Sequence, residues 1–256
     1  MIHAMAIIDS SAEIAADVKV GAYSVIGANV SIDSGTQLRS HVTVNGSTKI
    51  GKNNLIYQFA CVGEDPQDKK YAGETTYLEI GDNNVIREFA TIHRGTTQDE
   101  KLTIIGSNNL LMAYSHVAHD CIIGDDVILA NAASLGGHVH VGSHVILGGF
   151  SIVHQFCHLG EHSFSAMGSA ISMDLPPYVT VGGRPTKPHG INAIGLERRG
   201  FSKDTILDIK RAYKALYKSG LTLKEAQKKL QKMAEKTPEI SLMVDFLVAS
   251  SRSIIR

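Results

Sequence analysis

Residues 105–164 read IGSNNLLMAYSHVAHDCIIGDDVILANAASLGGHVHVGSHVILGGFSIVHQFCHLGEHSF. An aliphatic residue returns at every sixth position: Ile105, Leu111, Val117, Ile123, Leu129, Leu135, Val141, Leu147, Val153 and Leu159. Two residues before most of these stands a small or β-branched side chain, as at Ser115, Cys121, Ala133 and Val145. A six-residue period predicts a parallel β-helix of hexapeptides, in which aliphatics and their small partners point inward as stacked ladders. No coil can hide its apolar face alone, so neighbouring coils share their stability. Glycine often follows the aliphatic, as at Gly106, Gly124, Gly136, Gly142 and Gly148. There it is expected to permit a tight corner.

Working outward, the period begins at Ile8 and runs unbroken to Val62, then resumes at Ile80, Ile86 and Ile92 before a second gap shifts its phase by one. At about 4.8 Å per coil, roughly eight coils would build a prism about 40 Å long. The gaps are polar: Glu64 to Thr76 (EDPQDKKYAGETT) and Thr96 to Thr103 (TTQDEKLT). Insertions in a solenoid leave its side as loops and often form binding surface. The repeat fades after Ile171, Ser165 already replacing an expected aliphatic, and a Pro and Gly-rich passage from Pro176 to Gly190 marks a boundary. Beyond it, Ile206, Ile209, Ala212, Tyr213 and Leu216 space as one helical face closed by Gly220. Thr222 and Glu225 form a capping-box signature for a helix from Leu223 to Lys236, and a third helix is expected from Pro238 to about Ser251. The chain therefore reads as mainly β, a parallel β-helix over 1–190 followed by a small helical domain over 191–256.

Composition narrows the function. Formal net charge is zero, which argues against a nucleic-acid binder. Three scattered cysteines (Cys61, Cys121, Cys157) make no disulfide framework and no C-x-x-C pair. Cys121 and Cys157 sit at inward positions and read as packing. No basic-then-apolar leader opens the sequence, and the longest apolar run, Leu242 to Ala249, is too short to span a bilayer, so a cytoplasmic protein without a membrane span is expected.

Eight of the twelve histidines fall on residues 105–164. If three hexapeptides make a coil, residues eighteen apart stack. His119, Gly137 and Gln155 then share a column, and His116, His119, Asp120, His138, His154 and Gln155 form one patch off the inward positions. Histidine is the natural general base near neutral pH. Asp120 is a possible orienter for His119, although adjacent strand residues tend to diverge. No serine or cysteine stands beside them as a nucleophile, which suggests direct transfer to a bound acceptor. Backbone N–H groups at Gly136 and Gly137 are available for an oxyanion. The rival chemistry is a metal site, from the H-x-x-H of His116 and His119 or the H-x-H of His138 and His140.

The stretches IYQFACVGEDPQDKKYAGE, TIHRGT, NLLMAYSHVAHDCIIGD, GGHVHVG, IVHQFCHLG and NAIGLERRGFS resemble the UDP-N-acetylglucosamine O-acyltransferases that begin lipid A biosynthesis, over essentially the whole chain. The resemblance implies a left-handed β-helix, where the usual crossover rule would give right-handed coils. It also implies a homotrimer with active sites between subunits, and transfer of an R-3-hydroxyacyl group from acyl carrier protein to the glucosamine 3-hydroxyl with no metal or cofactor. By motif, His119 resembles the general base, with Asp120 beside it and Gly137 as the oxyanion donor. His116 and His138 would contact the sugar. Asp68 and Lys70 would hold polar groups of acyl chain and sugar, with His93 lining the cleft. His154, Gln155, Arg198 and Arg199 would face the diphosphate, and Asn192 the uridine. Met167 stands where a bulky residue closes the acyl groove, which implies a limit of about ten carbons. Ile194 stands where many members carry Glu, which implies a lost or rebuilt ribose contact.

Four alternatives differ in class or acceptor. An N-acyltransferase acting later in the pathway would carry an additional N-terminal domain. A zinc-dependent hexapeptide carbonic anhydrase would need stoichiometric zinc. An enzyme of the same kind acting on a 3-amino sugar would share every motif. A non-catalytic scaffold would retain ligand binding without depending on His119.

Overall fold

The computed structural model describes residues 1–250 and 252–256. Residues 1–182 wind into a left-handed parallel β-helix of triangular section, and three sheets form its faces. One face has nine strands, from Ile7–Ile8 to Ala170–Ile171. The second has eight, from Glu13–Ile14 to His158–Leu159. The third runs from Lys19–Val20 through Phe164–Ser165 to Val179–Gly182, and the antiparallel strand Lys187–Ile191 closes it at ten. The nine-stranded face gives one coil more than the repeat count suggested. Most strands are only two residues long, so they carry little twist, and their connections are tight corners instead of helical crossovers. The cause of right-handed crossovers is absent here.

Residues eighteen apart pair between coils, as Ile128 does with Ile146. Across the two insertions the separation grows to thirty, Val62 against Ile92, and to twenty-five, Ile92 against Val117. The inward ladders are almost completely buried, and Ile50, Ile56, Val62, Ile86 and Leu111 show no exposure. Inward polar residues satisfy backbone groups between coils. Asn54 Nδ2 donates to Gly81 O at 2.9 Å while its Oδ1 accepts Asn84 N–H at 2.8 Å, and Asn84 repeats the pattern with Gly106 and Asn109. Ser165, where an aliphatic was expected, is buried with its Oγ 2.9 Å from Ser151 Oγ.

The corners correct the expected role of glycine. Left-handed backbone falls on the third residue after most inward aliphatics, and that residue is seldom glycine: Tyr23, Asn29, His41, Asn53, Phe59, Asn83, Phe89, Asn108, Tyr114, Asp120, His138 and Phe156 all have φ between 55° and 67°. The glycine directly after the aliphatic is needed for coil spacing. A Cβ on Gly81 would lie 2.8 Å from the carbonyl carbon and oxygen of Gly106 in the next coil. Asn, Asp and His tolerate the left-handed region better than most residues. One corner is instead a ladder of rings, Tyr23, His41, Phe59, Phe89 and Tyr114, with successive centroids 5.1, 5.2, 5.0 and 4.9 Å apart.

The described C-terminal residues form four α-helices: α1 (Ala193–Arg198), α2 (Lys203–Tyr217), α3 (Leu223–Ala234) and α4 (Ser241–Ala249). Ser202 caps α2, and the Thr222–Glu225 capping box is present on α3, which ends two residues before its predicted limit. A 3-10 turn, Pro238–Ile240, precedes α4. The predicted end of the last helix at Ser251 lies outside the described residues. The short α1 was not predicted, because six residues carry no apolar period. Ile209, Leu216, Leu230, Met243 and Leu247 form a second core that meets the last coil around Tyr178. No described helix is long and apolar enough to cross a membrane.

Candidate active site

The columns expected from the eighteen-residue spacing are present. His138 N–H donates to His119 O at 3.0 Å, and Phe156 N–H to Gly137 O at 3.0 Å. Asp120, His138 and Phe156 therefore stack on one corner, with φ of 57°, 61° and 64°. The expected divergence of His119 and Asp120 does not occur. The left-handed turn at Asp120 folds its carboxylate back, and Oδ2 lies 2.8 Å from His119 Nδ1. Asp120 is buried and also accepts the N–H of Thr96 at 2.8 Å and its hydroxyl at 2.6 Å. Burial works to raise its pKa. The hydrogen bonds from His119 and Thr96 outweigh that and hold the carboxyl below its ordinary value, so it is ionised near neutral pH.

That anion sets the chemistry of His119. An Nδ1–H donating to Asp120 leaves the Nε2 lone pair free toward the cleft, the state a general base requires. Gly137 makes room for the ring, since a Cβ there would lie 2.6 Å from His119 Cε1. The Gly137 N–H donates to no backbone carbonyl among the described residues. His138 meets His119 edge to face at 5.0 Å and stacks on Phe156 at 4.3 Å. Its Nδ1 is 2.7 Å from Asp99 Oδ2. One coil back, His116 Nδ1 is 2.7 Å from Thr91 Oγ1, and burial lowers its pKa. His93 packs edge-on against His116 at 5.2 Å, and burial, then the neighbouring His116, pushes its pKa down to about 4.

Both insertions close over this corner. They shape a cleft of about 690 Å³ in which Asp68, Lys69 and Lys70 of the first loop and Asp99 of the second face His119, His138 and Gln155. Buried Arg94 clamps the first loop, reaching Gly63 O, Asp65 and the Tyr71 hydroxyl, the last at 3.1 Å. Thr96 at the root of the second loop holds Asp120. Sequence reasoning missed Asp99, Arg94 and Thr96, and it placed Phe156 in the column of Asp120 and His138 without giving it a role. Phe156 alone carried a signal, since it lies eighteen residues after His138. The others reach the site through loop paths that the repeat does not encode.

The remaining predicted residues lie apart from His119 within one chain. His154 lines a separate, mostly apolar groove of about 470 Å³ with Ile152, Ile171 and Pro185. Met167 is 80% exposed. Asn192 caps α1, its Oδ1 accepting Gly195 N–H at 3.1 Å and its Nδ2 donating to His162 O at 3.1 Å. Arg199 donates through Nη2 to His144 O at 3.1 Å and leaves Nη1 buried with no partner among the described residues. Arg198 and Ile194 are exposed on α1. The H-x-x-H and H-x-H spacings do not act as metal pairs, because His116 turns to Thr91 and His140 stacks on His158 at 4.5 Å. The potential metal cluster joins His119, Asp120 and His138 instead.

Known proteins resemble this chain over its whole length. Residues 102–137 match the family described as bacterial transferase hexapeptide (six repeats), and residues 174–255 match UDP N-acetylglucosamine O-acyltransferase, domain 2. The acyl-[acyl-carrier-protein]–UDP-N-acetylglucosamine O-acyltransferase of Herminiimonas arsenicoxydans is 52% identical, covering 100% of this chain and 99% of its own. The solved structure of LpxA from Acinetobacter baumannii superposes with a TM-score of 0.97 at 52% identity, covering 100% and 99% of the two chains. The acyltransferase structure from Arabidopsis superposes at 0.88 with 36% identity, covering 100% of both.

Proposed function

The chain belongs to the acyl-[acyl-carrier-protein]–UDP-N-acetylglucosamine O-acyltransferase family, and from that membership we propose that it transfers an R-3-hydroxyacyl group of about ten carbons to the sugar 3-hydroxyl with His119 as base. The observation that carries the reading is the ionised, buried Asp120 holding His119 by Nδ1, with Gly137 beside the ring. His119 Nε2 takes the proton of the 3-hydroxyl as that oxygen attacks the thioester carbonyl. The Gly137 N–H receives the developing oxyanion. Collapse of the tetrahedral intermediate breaks the carbon–sulfur bond, and the acyl carrier protein thiolate takes the proton back from the imidazolium that Asp120 has stabilised.

Asp68, Lys70 and His138 line the cleft and are assigned to the acyl and sugar polar groups, with His116 assigned to the sugar and His93 packed against His116; Gln155, on the same cleft, is assigned to the diphosphate. Asn192, His154, Arg198 and Arg199 are assigned to the nucleotide. Arginine forks suit phosphate oxygens. These residues and Met167 stand away from His119 in one chain, which supports a homotrimer whose neighbouring subunit completes the site. The exposed ring ladder, with Phe59 49% and Tyr114 61% exposed, offers an apolar corner for such an assembly. Light scattering should give a mass near three times 27.5 kDa.

The test is an acyl-transfer assay in EDTA with UDP-N-acetylglucosamine and 3-hydroxyacyl donors of ten, twelve and fourteen carbons. Turnover with the ten-carbon donor alone is expected, and Met167→Gly should extend it to fourteen. Equal turnover with all three in the unaltered protein would remove the Met167 ruler. Turnover only on a 3-amino acceptor would overturn the assigned acceptor.

A further inference from the structure

His119, Asp120 and His138 each place one ligand atom so that all lie within 4.8 Å of one another. Imidazole nitrogen and carboxylate oxygen are the ligands that zinc-class ions take at about 2.0–2.2 Å. Asp99 Oδ2 lies 2.7 Å from His138 Nδ1, so the ring donates there and turns its Nε2 lone pair toward Asp120 Oδ2 at 3.9 Å. Both are acceptors and cannot hydrogen-bond to each other. They suit one cation between them with bonds of about 2 Å. His119 Nδ1 is 2.8 Å from the same oxygen, Thr96 steadies the carboxylate, and Phe156 fixes the His138 ring. Metal-bound histidines characteristically donate their other N–H to a carboxylate, as His138 does here.

We propose that this cluster is an inhibitory site for a divalent transition-metal ion of the zinc class. His119 Nδ1, Asp120 Oδ2 and His138 Nε2 ligate the ion, and its fourth position opens on the cleft. The His119 proton moves from Nδ1 to Nε2 through solvent, so the ring stays neutral and no net proton is exchanged. The atom that would accept the substrate proton is then capped. Inhibition rests on His119 being the base; metal binding does not.

The experiment titrates the EDTA-treated, dialysed full chain with Co²⁺ and reads its visible d–d absorption, with acyl transfer followed in parallel under added Zn²⁺. One Co²⁺ per chain, displaced by Zn²⁺, is expected. Turnover should fall at stoichiometric Zn²⁺ and return with EDTA. His138→Ala and Asp120→Asn should abolish the tight site, and Asp99→Asn, a gentler change, should weaken it about ten- to a hundredfold. No saturable binding, binding that all three variants leave unchanged, or bound Zn²⁺ without loss of turnover would each overturn the proposal. An EDTA-treated enzyme that is inactive until Zn²⁺ is added would instead overturn the metal-free mechanism and the inhibitory role together, leaving a metal site of a different kind.

Discussion

Two corners of the prism use one backbone for opposite ends. At the ring ladder, Tyr23, His41, Phe59, Phe89 and Tyr114 take φ near 60° and stack outward. At the reactive corner, Asp120, His138 and Phe156 take the same φ, but Asp120 bends inward onto His119 and both insertion loops close over the cleft beside them. A left-handed turn is strained for any residue with a Cβ, at roughly 1–2 kcal/mol. The ring ladder offsets that strain by stacking. The reactive corner uses the turn to bring two sequence neighbours into contact, which an extended strand would keep apart. The same geometry is scaffold or chemistry according to which side chain occupies it.

The comparison can be broken first at the reactive corner. His119→Ala should lower turnover by roughly two to four orders of magnitude with the fold retained by circular dichroism, and near-normal turnover would remove the base assignment. Gly137→Ala should come next at about a hundredfold, because the added Cβ lands on the His119 ring. An unchanged kcat would show that the ring has slack.

The third prediction concerns histidines that the coils bury. Burial, with His116 beside one and His144 beside the other, holds His93 and His162 near 4. Unfolded histidine titrates near 6.5, so between about pH 6.5 and 4 the unfolded chain binds more protons. Stability should fall as pH drops through that window and be unaffected by these two residues above it. Denaturant midpoints against pH test this, and His162→Phe, which keeps the ring stack on Tyr178, should flatten part of the slope. The smallest effect belongs to the other corner. Ala132 continues the ring-ladder column at φ 59° with no ring to stack, so Ala132→Gly should raise stability by about 1 kcal/mol and leave turnover alone.

The six-residue period was enough to place His119 above Gly137 and Gln155 and to group them with His138, because coil register is a property of the repeat. It did not show that Asp120 folds back on His119, since that depends on a corner φ, and glycine had been assigned that corner. Asp99 and Arg94 were invisible for a different reason. Their contacts span thirty-nine residues to His138 and twenty-nine to Asp65, through insertions whose paths follow no period. Asn192 has a structural task that the motif did not signal. In this chain its side chain already caps α1 and ties it to His162. Met167 and Arg199 were grouped with His119 by resemblance alone, and one chain does not bring them together.

The central claim is that the carboxylate of Asp120, turned back by its left-handed corner, holds His119 as a base. Turnover of Asp120→Asn, which keeps the side chain's shape and removes its charge, tests this most directly. A fall on the order of a hundredfold or more in kcat is expected, with the fold retained by circular dichroism. Turnover within a few-fold of the unaltered enzyme would contradict it.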